Sequence, residues 1–357
     1  MHSCSRCETL PDPLPGKGTL YLVPPISPTG ADIRSYVTSL GLDLSEPYDN
    51  VYAVPVTSKD LSELCSSYLC RLSLAETRDT KSLLLAEGEE LTPAGLASME
   101  PLSVLVNRIQ GEWLLDILKA ERLTTWFQPI VHCSEPSRPF AHECLLRGLN
   151  AKGEPVPPGE MFDIARHADL LFYLDRAARI SSVRNAATAG LEGKVFINFL
   201  PTSIYNPEYC LKTTLAAIEE AGLSPEQIVF EVVESEEVDD TDHLLDVLRY
   251  YRENGFQVAL DDLGAGYGSL NLLSRLKPDY MKMDLQLIRN VDRDEFKAAI
   301  CANMLKLADQ VGVTSIAEGV ETEGEWRWLC QHGAHLAQGF LFARPGNPPQ
   351  APVVPAG

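Results

Sequence analysis

The chain has 357 residues, 45% of them hydrophobic and 22% charged, the make-up of a globular protein of about two domains. Its 50 Asp+Glu against 30 Lys+Arg give a formal charge of −20, which disfavours non-specific binding to DNA, RNA or anionic membrane. A small phosphate ligand held through metal stays open.

No run approaches the ~18 apolar residues of a membrane span. The opening MHSCSRCETLPDPLPGKG lacks the apolar stretch of a secretory signal. Nine scattered cysteines point to reduced thiols and the cytoplasm, not to a disulfide framework. Residues 1–18, rich in Pro and Gly, read as a disordered segment. There Cys4 and Cys7 beside His2 form a lone C-x-x-C, better read as a frayed terminus than as a zinc or redox site.

Residues 19–110 alternate in short steps. TLYLVPP and NVYAVPV read as strands, ADIRSYVTSLG and SKDLSELCSSYLCRL as helices, and LTPAGLASMEPLSVLVNRIQGEWLLDILKAERL as a helical linker. That is a small α/β module without recognisable chemistry, suited to sensing a signal or a partner. Residues 111–350 form the second domain. From Trp126 onward eight apolar strands are expected: WFQPIV, AHECLL, KVFINFL, IVFEVVE, QVALDD, DYMKMD, TSIAEG and AQGFLF. Five of the intervening helices end in Gly190, Gly222, Gly255, Gly312 and Gly333, suited to left-handed C-caps. Repeated β-to-α alternation over eight strands predicts a (β/α)8, TIM-like barrel.

In such a barrel chemistry sits at the C-terminal ends of the strands. At or near those ends lie Glu143, Asn198, Glu231 with Glu234, Asp261 with Asp262, Lys282 with Asp284, Glu318 and Gln338. One polar residue beside an apolar run is usually a structural ion pair. Seven successive strands offering one at the same end point to a shared site instead. Carboxylates and an amide without a Cys–His cluster suit Mg2+ or Mn2+. Two such ions would offset the mutual repulsion of the acids, draw in a phosphodiester and activate water, with Lys282 holding or helping to deprotonate that water. The stretch VALDDLGAGYGSLNLL is not a dinucleotide fingerprint, because Ser269 stands where G-x-G-x-x-G needs glycine, and it lacks the G-K-[ST] of a P-loop. It reads as flexible backbone that leaves Asp261 and Asp262 accessible, with metal stabilising the pair.

Together, FQPIVHCSEPSRPFAHECLLRG, VFINFLP, VFEVVES, VALDDLGAGYGSLNLLSRLKPDYMKMD, SIAEGVET and AQGFLFARP resemble the ordered motifs of the EAL-type cyclic di-GMP phosphodiesterases over roughly 125–346. Glu143-Cys144-Leu145 stands where the name-giving Glu-Ala-Leu would be. The resemblance implies a barrel whose first strand runs antiparallel to its neighbours, and hydrolysis of cyclic di-GMP to linear pGpG with two Mg2+ or Mn2+ ions. It implies that Glu143, Asn198, Glu231 and Asp261 ligate metal, that Asp262 reaches the second ion, and that Lys282 positions the nucleophilic water. Glu318 would complete the metal or water shell, with Gln338 assisting. Arg147 would contact a substrate phosphate (the plain alternative is a surface ion pair), and Gln128 would line the guanine or phosphate side. Asp284 would support Lys282 on the substrate side. Glu234 would brace the Asp-Asp-Leu-Gly loop and tie it to contacts of a homodimer formed through the barrel.

Cys144 replaces the signature alanine and packs as a small hydrophobe. Leu263, Ala265 and Gly268 replace Phe, Thr and Ser of the family's loop, which bears on rate and dimer coupling. Two alternatives compete with an active bacterial signalling enzyme. One is a non-catalytic cyclic di-GMP receptor of the degenerate EAL type. The other is a barrel glycosidase using two carboxylates, which leaves the remaining acids, Lys282 and Asn198 unexplained.

Overall fold

The computed structural model describes residues 10–68, 72–204, 206–233, 241–264 and 269–354. They fall into two compact units, one built on the chain up to Glu121 together with Gly159–Leu171, the other on Arg122–Pro158 and the chain from Phe172 onward. Glu234, Ala265–Gly268 and the Cys4/Cys7 pair lie outside the described residues.

The first unit is an antiparallel sheet of β1 (Lys17–Val23), β2 (Ser45–Tyr48), β3 (Val51–Thr57), β4 (Lys81–Ala86) and β5 (Glu100–Pro101), ordered β2-β3-β1-β4-β5. Alternate residues Leu20 and Leu22 of β1 and Tyr52, Val54 and Val56 of β3 share one core with Ile33 and Val37 of helix Ser27–Ser39 and Leu61 and Leu64 of helix Ser58–Tyr68. Three strands, β2, β4 and β5, lie outside the expected ones. Every residue of β2 is exposed, so it shows no apolar alternation. The expected linker helix is three helices, Pro93–Ala97, Leu102–Gln110 and Glu112–Lys119, with β5 between the first two. Pro101 biases Glu100 towards extended backbone and so interrupts the helix there.

The second unit is the expected barrel. Its strands are β6 (Leu123–His132), β7 (Pro139–Leu149), β9 (Lys194–Asn198), β10 (Ile228–Val233), β11 (Gln257–Leu263), β12 (Tyr280–Met283), β13 (Thr314–Ala317) and β14 (Leu336–Gln338), while the short β8 (Pro155–Val156) pairs only with β7. Strands β7 and β9 to β14 are parallel, and β6 closes the ring antiparallel to both β7 and β14. The five glycines predicted to cap helices all have positive φ, and Gly312 is a left-handed cap on helix Glu295–Val311. Several strands end earlier than expected, the last most of all: AQGFLF leaves the sheet after Gln338. A Cβ on Gly339 would lie 2.0 Å from the Val320 carbonyl oxygen, and Phe342 N donates back to Gly339 O at 3.1 Å, so the chain turns where only glycine fits.

Inside the barrel, Ile130, Ala141, Phe196, Val229, Ala259, Tyr280, Ile316 and Leu336 form one apolar cluster, with a residue from each of the eight strands. Side chains alternate along a strand, so the residue two positions further towards the mouth faces inward as well. Those positions are Gln128, Glu143, Asn198, Glu231, Asp261, Lys282, Glu318 and Gln338. The apolar ring is thus the floor on which a polar ring stands.

Candidate active site

Lys282 is 1% exposed, and its ammonium organises the polar ring. Nζ lies 2.6 Å from Glu231 Oε1, 2.9 Å from Asp261 Oδ1, 2.9 Å from Glu318 Oε1 and 3.6 Å from Glu143 Oε1. Burial works against the lysine charge, but Asp261, Glu143, Glu231 and Glu318 outweigh it and hold the ammonium well above its usual range. Burial pushes Glu231 and Glu318 up, with Lys282 opposing. Asn198 Nδ2 donates to Glu231 Oε2 at 3.0 Å and Glu143 Oε1 at 3.3 Å. Gln338 Nε2 donates to Glu143 Oε2 at 2.6 Å and Gln128 Oε1 at 3.1 Å, and Gln128 Nε2 reaches Ala343 O at 3.3 Å.

The paired aspartates have a structural explanation that the sequence reading lacked. In a regular strand Asp261 and Asp262 would face opposite ways. The β11–β12 register shifts between Leu260 and Leu263, and Asp262 has φ +56. This bulge, with a left-handed residue in it, turns the second carboxylate towards the first. Asp262 N donates to Asp261 Oδ1 at 3.0 Å, and the Asp262 carboxyl is pushed up to about 6, chiefly by burial and then by Asp261.

Two acid groups result, Glu143–Glu231–Asp261 and Asp261–Asp262–Glu318, each with ligand oxygens within 4.8 Å of one another and with Asp261 shared. Hard oxygen donors around two adjoining centres suit divalent cations such as Mg2+ and Mn2+. Gln338 Oε1, buried and without a hydrogen-bond partner among the described residues, adds one more oxygen.

Of the other expected residues, Asp284 but not Arg147 is among those that line the cavity over this centre. Asp284 lines the same cavity of about 360 Å³, and its carboxylate caps helix Leu285–Ile288 by accepting Gln286 N at 2.8 Å. Arg147 lies four residues past Glu143 on the same face of β7, with its guanidinium 4.7 Å from the Trp126 ring centroid and Nη1 donating to Leu146 O at 2.6 Å. Cys144, facing away from the site, packs in the apolar layer, and burial followed by Glu143 and Glu231 holds its thiol protonated.

Some residues that shape the site were not anticipated. Arg289, Glu321 and Phe340 line the cavity. The buried Asp175 pairs with Arg179 and accepts Leu200 N at 2.9 Å and Ser203 Oγ at 2.7 Å, fixing the turn that follows β9. A carboxylate mid-helix at Asp175 carries no such signal in the sequence.

The sequence profile of the EAL domain matches residues 111–345. Among curated proteins, the chain is 35% identical over 150 residues to the blue light- and temperature-regulated antirepressor BluF of Escherichia coli K12, covering 42% of this chain and 37% of BluF. It is 29% identical over 227 residues to the probable cyclic di-GMP phosphodiesterase PdeG of the same organism, covering 62% of this chain and 44% of PdeG. The match thus spans less than half of either relative. Among solved structures, it is similar to a cyclic di-GMP-bound standalone EAL protein of Vibrio cholerae O395, with 38% identity, a TM-score of 0.59, and coverage of 65% of this chain and 96% of that one. It is also similar to Klebsiella pneumoniae BlrP1 with manganese and cyclic di-GMP, at 25% identity and a TM-score of 0.57, over 92% and 96% of the two chains. With its reversed first strand, its ring of acids and this match across the barrel, the chain belongs to the EAL domain family.

Proposed function

We propose that the protein hydrolyses cyclic di-GMP to linear pGpG with the help of two divalent cations, Mg2+ or Mn2+. The observation that carries this reading is the complete acid set gathered around Lys282 at the barrel mouth. Glu143, Glu231 and Asp261, with Asn198, would hold one ion, and Asp261, Asp262 and Glu318 would hold the other. Asn198 would ligate through Oδ1 with its amide turned over, since Nδ2 now faces the carboxylates. Bound there, the cations supply Lewis-acid polarisation of the phosphodiester and neutralise charge that the carboxylates alone would repel. Lys282 orients the attacking water, and Gln338 keeps Glu143 aimed inward. Arg147 and Gln128 contact the substrate, Asp284 supports Lys282, and Glu234 braces the loop after Asp262. Water adds across one P–O bond of the ring, which opens to the linear dinucleotide.

The test is incubation of the protein with cyclic di-GMP and Mg2+ or Mn2+, with pGpG as the expected product. No turnover with either metal overturns the reading. A second reading, a receptor that binds cyclic di-GMP without cutting it, draws on the altered loop, where Leu263, Ala265 and Gly268 replace the family's residues. Tight binding with intact ligand in the presence of metal selects it. In either case residues 19–110 act as the regulatory or sensory module, 111–350 as the domain that binds the dinucleotide and forms the homodimer, and the cytoplasm is the compartment.

A further inference from the structure

We infer that Arg289 is a further anion-binding residue at the barrel mouth, beside the metal ions and Arg147 proposed above, and that it grips a phosphodiester oxygen of the cyclic dinucleotide after displacing Glu321. The inference rests on the ligand proposed above. Of the described residues that line the cavity, six are acids, Glu143, Asp261, Asp262, Asp284, Glu318 and Glu321, and two are cations, Lys282 and Arg289. Lys282 is buried and already matched to four carboxylates. Arg289 still reaches solvent, with its side chain 40% exposed. Besides the metal ions proposed above, a protein cation within reach favours a dianionic ligand in an acidic mouth, and among the described lining residues Arg289 is the one with an accessible charge.

Its present partner shows how. The guanidinium forms a fork on Glu321, with Nη2 2.8 Å from Oε1 and Nη1 against Oε2. A carboxylate and a phosphodiester both offer a guanidinium two oxygens in one plane, so Glu321 occupies the place a phosphate would take. A half-exposed ion pair is weak in itself. This one is set on a built support. Glu325, 1% exposed, accepts Asn290 N at 2.9 Å on one oxygen, and Glu321 N and Thr322 N at 3.0 Å each on the other. One buried carboxylate therefore pins the backbone on which both rim residues sit. Lys297 Nζ adds a bond to Arg289 O at 3.0 Å. The backbone is fixed while the two side chains remain accessible, as an exchangeable clamp requires.

The test uses the full-length protein, cyclic di-GMP hydrolysis with Mn2+, and equilibrium binding of cyclic di-GMP in EDTA. Arg289→Gln should raise KM and Kd about 10-fold, the scale of one charge-assisted hydrogen-bonded contact, with kcat within about 2-fold. Glu321→Gln should tighten binding about 3-fold by removing the competitor, and the double variant should bind like Arg289→Gln. Unchanged KM and Kd in Arg289→Gln, or a fall in kcat alone, overturns the inference. So does a loss in Glu321→Gln as large as that in Arg289→Gln, which would make the pair a structural strut. Wild-type protein that neither binds nor cleaves the dinucleotide overturns the proposed function and this inference together. Wild-type protein that binds, with Arg289→Gln binding equally, overturns this inference alone.

Discussion

Two rings of side chains stand one pleat apart inside the barrel, and the same eight strands supply both. The lower ring runs from Ile130 and Ala141 to Leu336 and is apolar apart from the Tyr280 hydroxyl, which bonds Gln257 Oε1 at 3.2 Å. The upper ring holds four carboxylates, three amides and one ammonium. Backbone geometry and burial are nearly shared, so the contrast lies in the side chains. Folding accounts for the lower ring: apolar groups removed from water stabilise the barrel whether or not an ion is bound. Folding gives no reason for the upper ring, where each carboxylate is costly to bury and one lysine cannot neutralise four. One ring holds the strands in place, and the other uses that rigidity to hold charge where water would not leave it concentrated.

The largest test of that contrast is Lys282→Met. Without the ammonium the acids have no internal counter-charge, and the attacking water has no cationic donor. Hydrolysis should fall about 10³-fold, and urea unfolding in EDTA should show a loss of about 3–5 kcal/mol, as when one partner of a buried ion pair is removed. A variant with wild-type rate and stability would mean that the upper ring does not act as a charged unit.

The lower ring should break differently. Phe196→Ala removes a fully buried ring that packs edge-on to Tyr280, with centroids 5.1 Å apart. It should cost about 3–5 kcal/mol through lost burial and the cavity left behind. Unlike the lysine variant, this deficit should be equal in EDTA and in Mn2+, as read by denaturant unfolding. A deficit that shrinks when metal is added would show that the two rings are coupled.

The rings also explain what could be read from sequence. Period-two alternation within apolar runs reveals both rings, because the inward residue and the polar residue two places on fall in one short word such as VFIN or YMKM. The reversed first strand came from the family likeness, since alternation has no direction. The bulge at Asp262 was illegible: whether two adjacent aspartates face apart or together depends on a register shift against β12. Arg289 gives no signal in the sequence, because a charged residue after a four-residue helix resembles any surface arginine. Only the fold brings it to Glu321, over a pin at Glu325 that reads in the sequence as an ordinary helix-start acid.

A smaller effect separates holding charge from aiming it. Gln338 carries no charge, yet its one amide nitrogen serves both Glu143 and Gln128, and Gln128 passes the connection on to Ala343 O. Gln338→Met keeps length and bulk but removes the donor, leaving Glu143 Oε2 without its 2.6 Å partner. The expected loss is about 10-fold in kcat/KM, one charge-assisted hydrogen bond, with little change in Tm because volume is conserved. Gln128→Met should lose less, since Gln338 then still holds Glu143. If instead Gln128→Met is the worse of the two, the chain of amides is anchored from Ala343 inward, and Glu143 is aimed by the β6 side of the barrel and not by β14.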